Sequence, residues 1–194
     1  MTTLLRPVVR TFPGTHAEPP GPGQADGPLK IDGTLKHNLK NQAGRLDFTV
    51  PRLAFSEKKP TLEDIFPATA GLFTSARGAA SAQGHVLWDK ELLSGEMALV
   101  LDGVDLATED VRFAGLSGTV NFIELQPLSM PPRQRLQGTI ATGELGPWPM
   151  LLEFQLRDDG KIDVQDFDIA MADGVVRTRA LIDPAALGTA DGSI

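Results

Sequence analysis

The residues that could do chemistry in this chain are its three histidines, its pairs of adjacent carboxylates and one serine set among glycines. His16, His37 and His85 are too far apart in sequence for a local metal motif, and His16 falls in a Pro/Gly-rich stretch. Glu63-Asp64, Glu109-Asp110 and Asp158-Asp159 offer paired acids of the kind glycoside chemistry uses. Their contexts read instead as a helix start, a turn and a hairpin turn, where acids satisfy nearby backbone N–H groups. Gly115-Leu116-Ser117-Gly118-Thr119 is not a nucleophile elbow, because glycine follows the serine directly and no strand-to-helix context surrounds it. Asp102-Gly103-Val104-Asp105 begins like a calcium loop but lacks the further ligands. No phosphate-cradling or dinucleotide-binding glycine pattern occurs. With no cysteine, disulfides and thiolate metal sites are excluded. The expectation is a protein that is not an enzyme and has no catalytic residue, metal site or cofactor.

Charge narrows the partners. A formal net charge of -7 disfavours nucleic acid, whose phosphates require a basic surface. No run of about 18 apolar residues is present, and Met1 to Pro7 is too short an apolar stretch for a signal peptide. Any targeting segment or anchor is expected to lie outside this chain, and both ends read as those of a fragment.

The elements that would position these residues are strands. Fifteen prolines and twenty glycines among short apolar alternations favour an all-β body. The firmest stretch runs from Leu145 to Ile182 as a three-strand meander. Leu152, Phe154 and Leu156 face one way and Glu153, Gln155 and Arg157 the other. Asp158-Asp159-Gly160 makes the first turn. Ile162 and Val164, then Phe167, Ile169 and Met171, form the next apolar face, and Ala172-Asp173-Gly174 turns the chain into Val175 to Arg179.

Upstream, Val8 to Phe12 reads as the remnant of an earlier strand and Pro13 to Pro28 as a linker. Leu29 to Leu35 alternates weakly; Gly44 to Phe55 alternates well, with Leu46, Phe48 and Val50 on one face until Pro51 interrupts the ladder. Thr61 is a candidate N-cap with Asp64 at the third helical position. A short helix with Leu62, Ile65, Phe66, Leu72 and Phe73 on its apolar side is expected to cap the sheet, broken at Pro67. From Gly78 the strands resume: Gly84 to Asp89, a turn at Leu92 to Gly95, and Glu96 to Leu101 with Met97, Leu99 and Leu101 on one face. Separate strands are expected around Val111 and Phe113 and around Val120 and Phe122, then a break at Pro127 to Pro132 and a strand from Arg135 to Ala141. Trp88 and Trp148 read as packing residues, with a rim anchor as the alternative for Trp148.

Taken in order, Leu62 to Phe73 (LEDIFPATAGLF), Gly84 to Trp88 (GHVLW), Val111 to Val120 (VRFAGLSGTV) and Pro127 to Gln134 (PLSMPPRQ) resemble the YdbH family of Gram-negative bacteria, also labelled a dicarboxylate transport family. The resemblance covers roughly Leu62 to Leu187. It implies an AsmA-like, bridge-like protein, anchored in the inner membrane, whose long periplasmic β-groove carries phospholipid toward the outer membrane. It implies phospholipid as ligand, an outer-membrane or periplasmic partner protein, and membrane contact through parts missing from this chain. The chain lacks the family's N-terminal anchor and stops before its later glycine-rich segment, so one stretch of groove is expected, over residues 29–187, after a leader of 1–28 and before a disordered tail of 188–194.

On that reading the fold is a mainly all-β, curved antiparallel sheet or groove with one short helix. The lipid-facing candidates are Met97, Leu99, Leu101, Val111, Phe113, Val120, Phe122, Leu152, Phe154, Leu156, Ile162, Val164, Phe167, Ile169 and Met171. The same side chains would serve a soluble β-sandwich-like binding or structural domain with a closed core. The two differ in whether a second sheet covers that face.

Overall fold

The computed structural model describes residues 30–58, 60–65, 71–172 and 174–183. The expected strand remnant at Val8 to Phe12, the linker before Lys30, the Phe66-Pro67 break and the tail lie outside them. The described residues form one nine-stranded antiparallel sheet in the order β1-β2-β3-β4-β5-β8-β9-β10-β11. The strands are β1 (Asp32–Asn38), β2 (Ala43–Phe55), β3 (Ser75–Trp88), β4 (Leu93–Ala107), β5 (Val111–Phe122), β8 (Gln134–Thr142), β9 (Leu145–Leu156), β10 (Ile162–Met171) and β11 (Gly174–Ile182). Between β5 and β8 the chain leaves the sheet for a two-residue hairpin, β6 (Glu124–Leu125) and β7 (Leu128–Ser129). The expected all-β curved sheet with one short helix is what folds, and the sheet does not close into a barrel.

Several boundaries differ from expectation, and β-bulges account for the far end of β4 and for the undivided β5. Leu93 to Gly95 is the start of β4 rather than a turn, and Val111 to Phe122 is one strand rather than two. The register of β4 on β5 skips between Leu101 and Val104, and that of β5 on β8 skips between Ala114 and Ser117. Each skip holds a glycine at positive φ, Gly103 at 63° and Gly115 at 65°. An extra residue there breaks the two-residue period, so one bulged strand reads as two. The Asp102 to Asp105 stretch is thus bulge geometry: Gly103 N donates to Ser117 Oγ (3.1 Å) and Gly115 N to Asp105 Oδ1 (2.7 Å).

Comparable skips lie at Val50/Leu53 in β2, around Pro51, and at Arg77/Ala79 in β3, around Gly78. The extra residues fall on β2, β4 and β5, with Gly78 of β3 opposite the β4 bulge, and each bends its strand, folding the sheet along a line that crosses the strands. The buried residues Phe55, Ala80, Val104, Leu116 and Met150 form one cluster along that line, drawn from β2, β3, β4, β5 and β9. In β8 the line passes through Gly138, where a Cβ would come within 3.1 Å of Leu116 Cδ2.

Among the described residues helix α1 spans Leu62–Ile65, and Leu72 and Phe73, expected on its apolar side, lie outside it. Its N-terminus is a reciprocal cap: Asp64 N donates to Thr61 Oγ1 (3.2 Å) and Thr61 N to Asp64 Oδ2 (2.9 Å). Leu62 and Ile65 pack on the central cluster, while Leu72 is 59% exposed and adds nothing to the helix's apolar side.

Candidate apolar trough

Residues directly opposite one another in an antiparallel ladder share a face. Register therefore assigns every candidate to a side. Met97, Leu99 and Leu101 lie opposite Phe122, Val120 and Gly118. Phe113 lies opposite Ile140, and Val111, two residues away, shares its face. Leu152 and Phe154 lie opposite Phe167 and Val164, and Leu156 opposite Ile162. Ile169 lies opposite Met150 and Val176, and Met171 opposite Gly174. The structure brings all the candidates to one face, the inner side of the fold line. A skip between Val164 and Asp166 keeps Phe167 in phase with Val164.

The face is larger than sequence reasoning supplied. Val104, Leu116, Leu136 and Met150 are buried on it, and Leu106, Ile140 and Trp148 join it by register. Val104 and Leu116 were hidden because each follows a bulge glycine that resets the alternation. On β3 the face is built of Ala76, Ala80, Ala82 and Gly84, residues too small to signal a buried side. Phe48 and Leu46 continue it onto β2, and Leu35 onto β1.

Among the described residues the second sheet is the two-stranded β6–β7 hairpin alone, which covers only one end of this face. Most of its side chains are half-buried: only those along the fold line and in the cluster of Val120, Phe122, Met130 and Leu136 are buried. What overlies it is local. The helix α1 sits at the edge where Phe55 and Ala76 end. At the opposite edge the β6–β7 hairpin reaches across from β4 to β9: Glu124 Oε1 accepts from Gly95 N (3.3 Å), and Met130 N donates to Leu156 O (2.9 Å). Leu125 packs where a Cβ on Gly95 would lie 2.9 Å from its Cδ1. Gln134 is a buried polar residue on this side, satisfied by Asn121 N on its Oε1 (2.7 Å) and by Pro131 O on its Nε2 (3.1 Å).

The outer face is ionic. Arg45 pairs with Asp47, Arg52 with Asp102, Arg77 with Asp105, Arg135 with Glu153, and Arg177 with Asp166 and Asp168. The Arg45 and Arg177 guanidiniums hold the Asp47 and Asp168 carboxyls below the usual carboxylate range, and Arg177 is itself raised. Asp105 is held low first by the Gly115 N–H, then by Arg77.

The residues first weighed for catalysis are scattered. His37 lies on the trough side of β1 and His85 on the outer side of β3, so the sheet separates them. His37 stacks on Trp88 with centroids 6.0 Å apart, and Trp88 covers Gly44 as a packing residue. Asp64 caps α1, Asp159 pairs with Arg157 and Lys161, and Glu109-Asp110 sits between β4 and β5. Among the described residues no group of three or more His, Asp or Glu side chains is placed to hold a metal, and no helix is long and apolar enough to cross a membrane.

A face of Leu, Ile, Val, Phe and Met on a single bent layer can take hydrocarbon by dispersion and desolvation alone, at about 0.8 kcal/mol per methylene buried. The family model described as YdbH-like, intermembrane phospholipid transport protein YdbH, matches residues 5–181. No curated protein and no solved structure matches the chain.

Proposed function

The chain belongs to the YdbH-like family of intermembrane phospholipid transport proteins, and from that premise we propose that its inner face is one section of a trough that shields acyl chains during transfer. The observation that carries the proposal is an apolar face spanning β2 to β10 with no opposing sheet among the described residues beyond the two-stranded β6–β7 hairpin at one end. A β-sandwich core of the same residues needs a second layer about 10 Å away to bury them, and the described residues provide none.

Dimensions suit the role. The seven strands from β2 to β10, at about 4.8 Å spacing, make a trough about 29 Å long. One leaflet of hydrocarbon is about 15 Å thick, half the bilayer core, so an acyl chain lying along the fold line fits with length to spare. Contacts on the face are dispersive and repeat from strand to strand, so a chain loses and gains similar contacts as it slides. In this reading the headgroup stays outside the apolar face, in water. In this reading the section works in the periplasm between inner and outer membranes, anchored through parts of the protein beyond this chain, and hands lipid to a further envelope protein.

Native mass spectrometry of the chain purified without detergent tests the proposal. Phospholipid adducts that a short-chain competitor displaces are expected. A chain that is free of lipid and binds no fluorescent acyl probe contradicts it and favours a soluble domain with a closed core.

A further inference from the structure

Nine strands of alternating direction leave the two outermost, β1 and β11, running the same way, each with one side unpaired among the described residues. The two free sides differ. β1 lies on β2 in unbroken register from Asp32↔Thr49 to Asn38↔Ala43, so its outward N–H and C=O groups form a regular row. The ladder of β11 on β10 skips between Val164 and Phe167, and β11 carries Arg177 and Arg179 on its outer face. Bulges and charges of one sign blunt a sheet edge against pairing, and β1 has neither.

The side chains of β1 complement themselves. Asp32, Thr34 and Lys36 lie on the outer face, opposite Thr49, Asp47 and Arg45, while Gly33 and Leu35, and by alternation Ile31, lie on the trough face. Lys36 takes part in no ion pair among the described residues; it faces Arg45 across the ladder, and the nearby Asp47 is held by Arg45. Asp32 is met by Lys30 at 3.4 Å, with its own side chain 58% exposed. A two-fold axis through Thr34, normal to the sheet, sets two β1 strands antiparallel with both troughs facing the same way. Asp32 of each copy then lies opposite Lys36 of the other, on the outer face. On the trough face each Leu35 lies opposite Gly33 of the other copy, large over small, and Ile31 and Leu35, 56% and 47% exposed, lose water.

Other pairings of these edges fit worse. β11 paired with itself over its full length sets Arg177 opposite Arg179 of the other copy, and like charges directly opposite destabilise a ladder. β1 on β11 of another copy, with the troughs on one side, is a parallel pairing that repeats without closing. The chain before Lys30 carries Arg6 and Arg10 and no carboxylate until Glu18, so Val8 to Phe12 offers nothing to Lys36.

We infer that the free edge of β1 docks a second copy of this chain, through an antiparallel β1–β1 ladder centred on Thr34. The pairing does not depend on what the trough holds; on the acyl-chain reading above it joins two troughs into one across the two-fold axis.

Size-exclusion chromatography with light scattering, run on the full chain at several concentrations, tests the interface, with folding of each variant checked by circular dichroism. The native chain is expected to be a dimer that dissociates on dilution. Asp32→Lys and Lys36→Asp each set like charges opposite twice per dimer and should weaken association by about tenfold. The double variant restores both pairs with reversed sign and should associate as the native chain does. The sequence has no cysteine, so Thr34→Cys places one thiol beside its own symmetry mate, within disulfide reach. Oxidation should give a covalent dimer, whereas Thr178→Cys on β11 should give none. A native chain that is monomeric at every concentration, a double variant as weak as the single ones, or cross-linking at position 178 rather than 34 overturns the assignment. Acyl-probe uptake is measured on the same samples. Uptake by a monomer refutes the dimer alone, whereas a dimer without uptake refutes the trough and leaves the interface standing.

Discussion

Gly78 and Gly103 meet at the fold line, and alanine at each separates two causes of destabilisation. Gly103 has φ of 63°, and a Cβ there would meet nothing within 4 Å. Gly103→Ala therefore incurs only the left-handed backbone penalty, about 1–2 kcal/mol. Gly78 has φ of 145°, a region almost confined to glycine, and its Cβ would lie 2.7 Å from Val104 Cα and 3.0 Å from Gly103 O. Those are backbone atoms of the neighbouring strand, fixed by the ladder, so they move only if the bulge opens. Gly78→Ala combines backbone strain of about 1–3 kcal/mol with overpacking of about 1–3 kcal/mol, so a loss of about 2–6 kcal/mol is expected. Against a total stability of order 5–15 kcal/mol the difference is measurable by urea unfolding followed by circular dichroism. The midpoint of Gly78→Ala should fall well below that of Gly103→Ala with the slope unchanged. Equal midpoints, or Gly103→Ala the worse, would refute the claim that close backbone approach sets the bend.

Other outcomes follow from the same geometry. Phe154→Asp, on the half-buried inner face, should abolish acyl-probe binding while the chain stays folded, whereas Gln155→Asp on the outer face should bind probe as the native chain does. Arg135→Ala leaves Glu153, whose side chain is 10% exposed, without its guanidinium; because Arg135 is itself mostly exposed, a loss of about 1–3 kcal/mol is expected in urea titration, and Arg135→Lys should recover part of it. Asp47, Asp89, Asp105 and Asp168 all have carboxyls held below their ordinary value. Their folded pKa is the lower one, so the stability they contribute is present above about pH 4 and is lost as pH falls through the folded values. Unfolding midpoints should be flat from neutral pH to about pH 5 and drop below pH 4; a midpoint that rises on acidification would contradict the assignment.

The meander of β9 to β11 was legible because Leu152, Phe154 and Leu156, Ile162 and Val164, and Phe167, Ile169 and Met171 each alternate strictly, with one bulge inside β10 between Val164 and Phe167. The same rule misread β4 and β5, where Gly103 and Gly115 insert a residue and reverse the phase, and of β3 it found only the Gly84 to Trp88 end, because the inner face before it is Ala76, Ala80 and Ala82. The capped helix start at Thr61 was visible in side-chain chemistry. The β6–β7 hairpin was invisible as a hairpin. Its pairing is two residues long, and its place over the face depends on Leu125 meeting Gly95 and Met130 meeting Leu156, contacts between residues far apart in sequence. The candidate side chains were found one strand at a time; that they share a single bent face depends on ladder register, which sequence periodicity does not specify across strands.

A photo-reactive benzoylphenylalanine placed singly at Phe154, Gln155, Phe167 and Asp168 in the envelope protein, irradiated in intact cells, tests the open trough most directly. Phospholipid adducts at positions 154 and 167 and none at 155 and 168 are the result this account predicts. Adducts at neither position of the inner face, or equally on both faces, would contradict it.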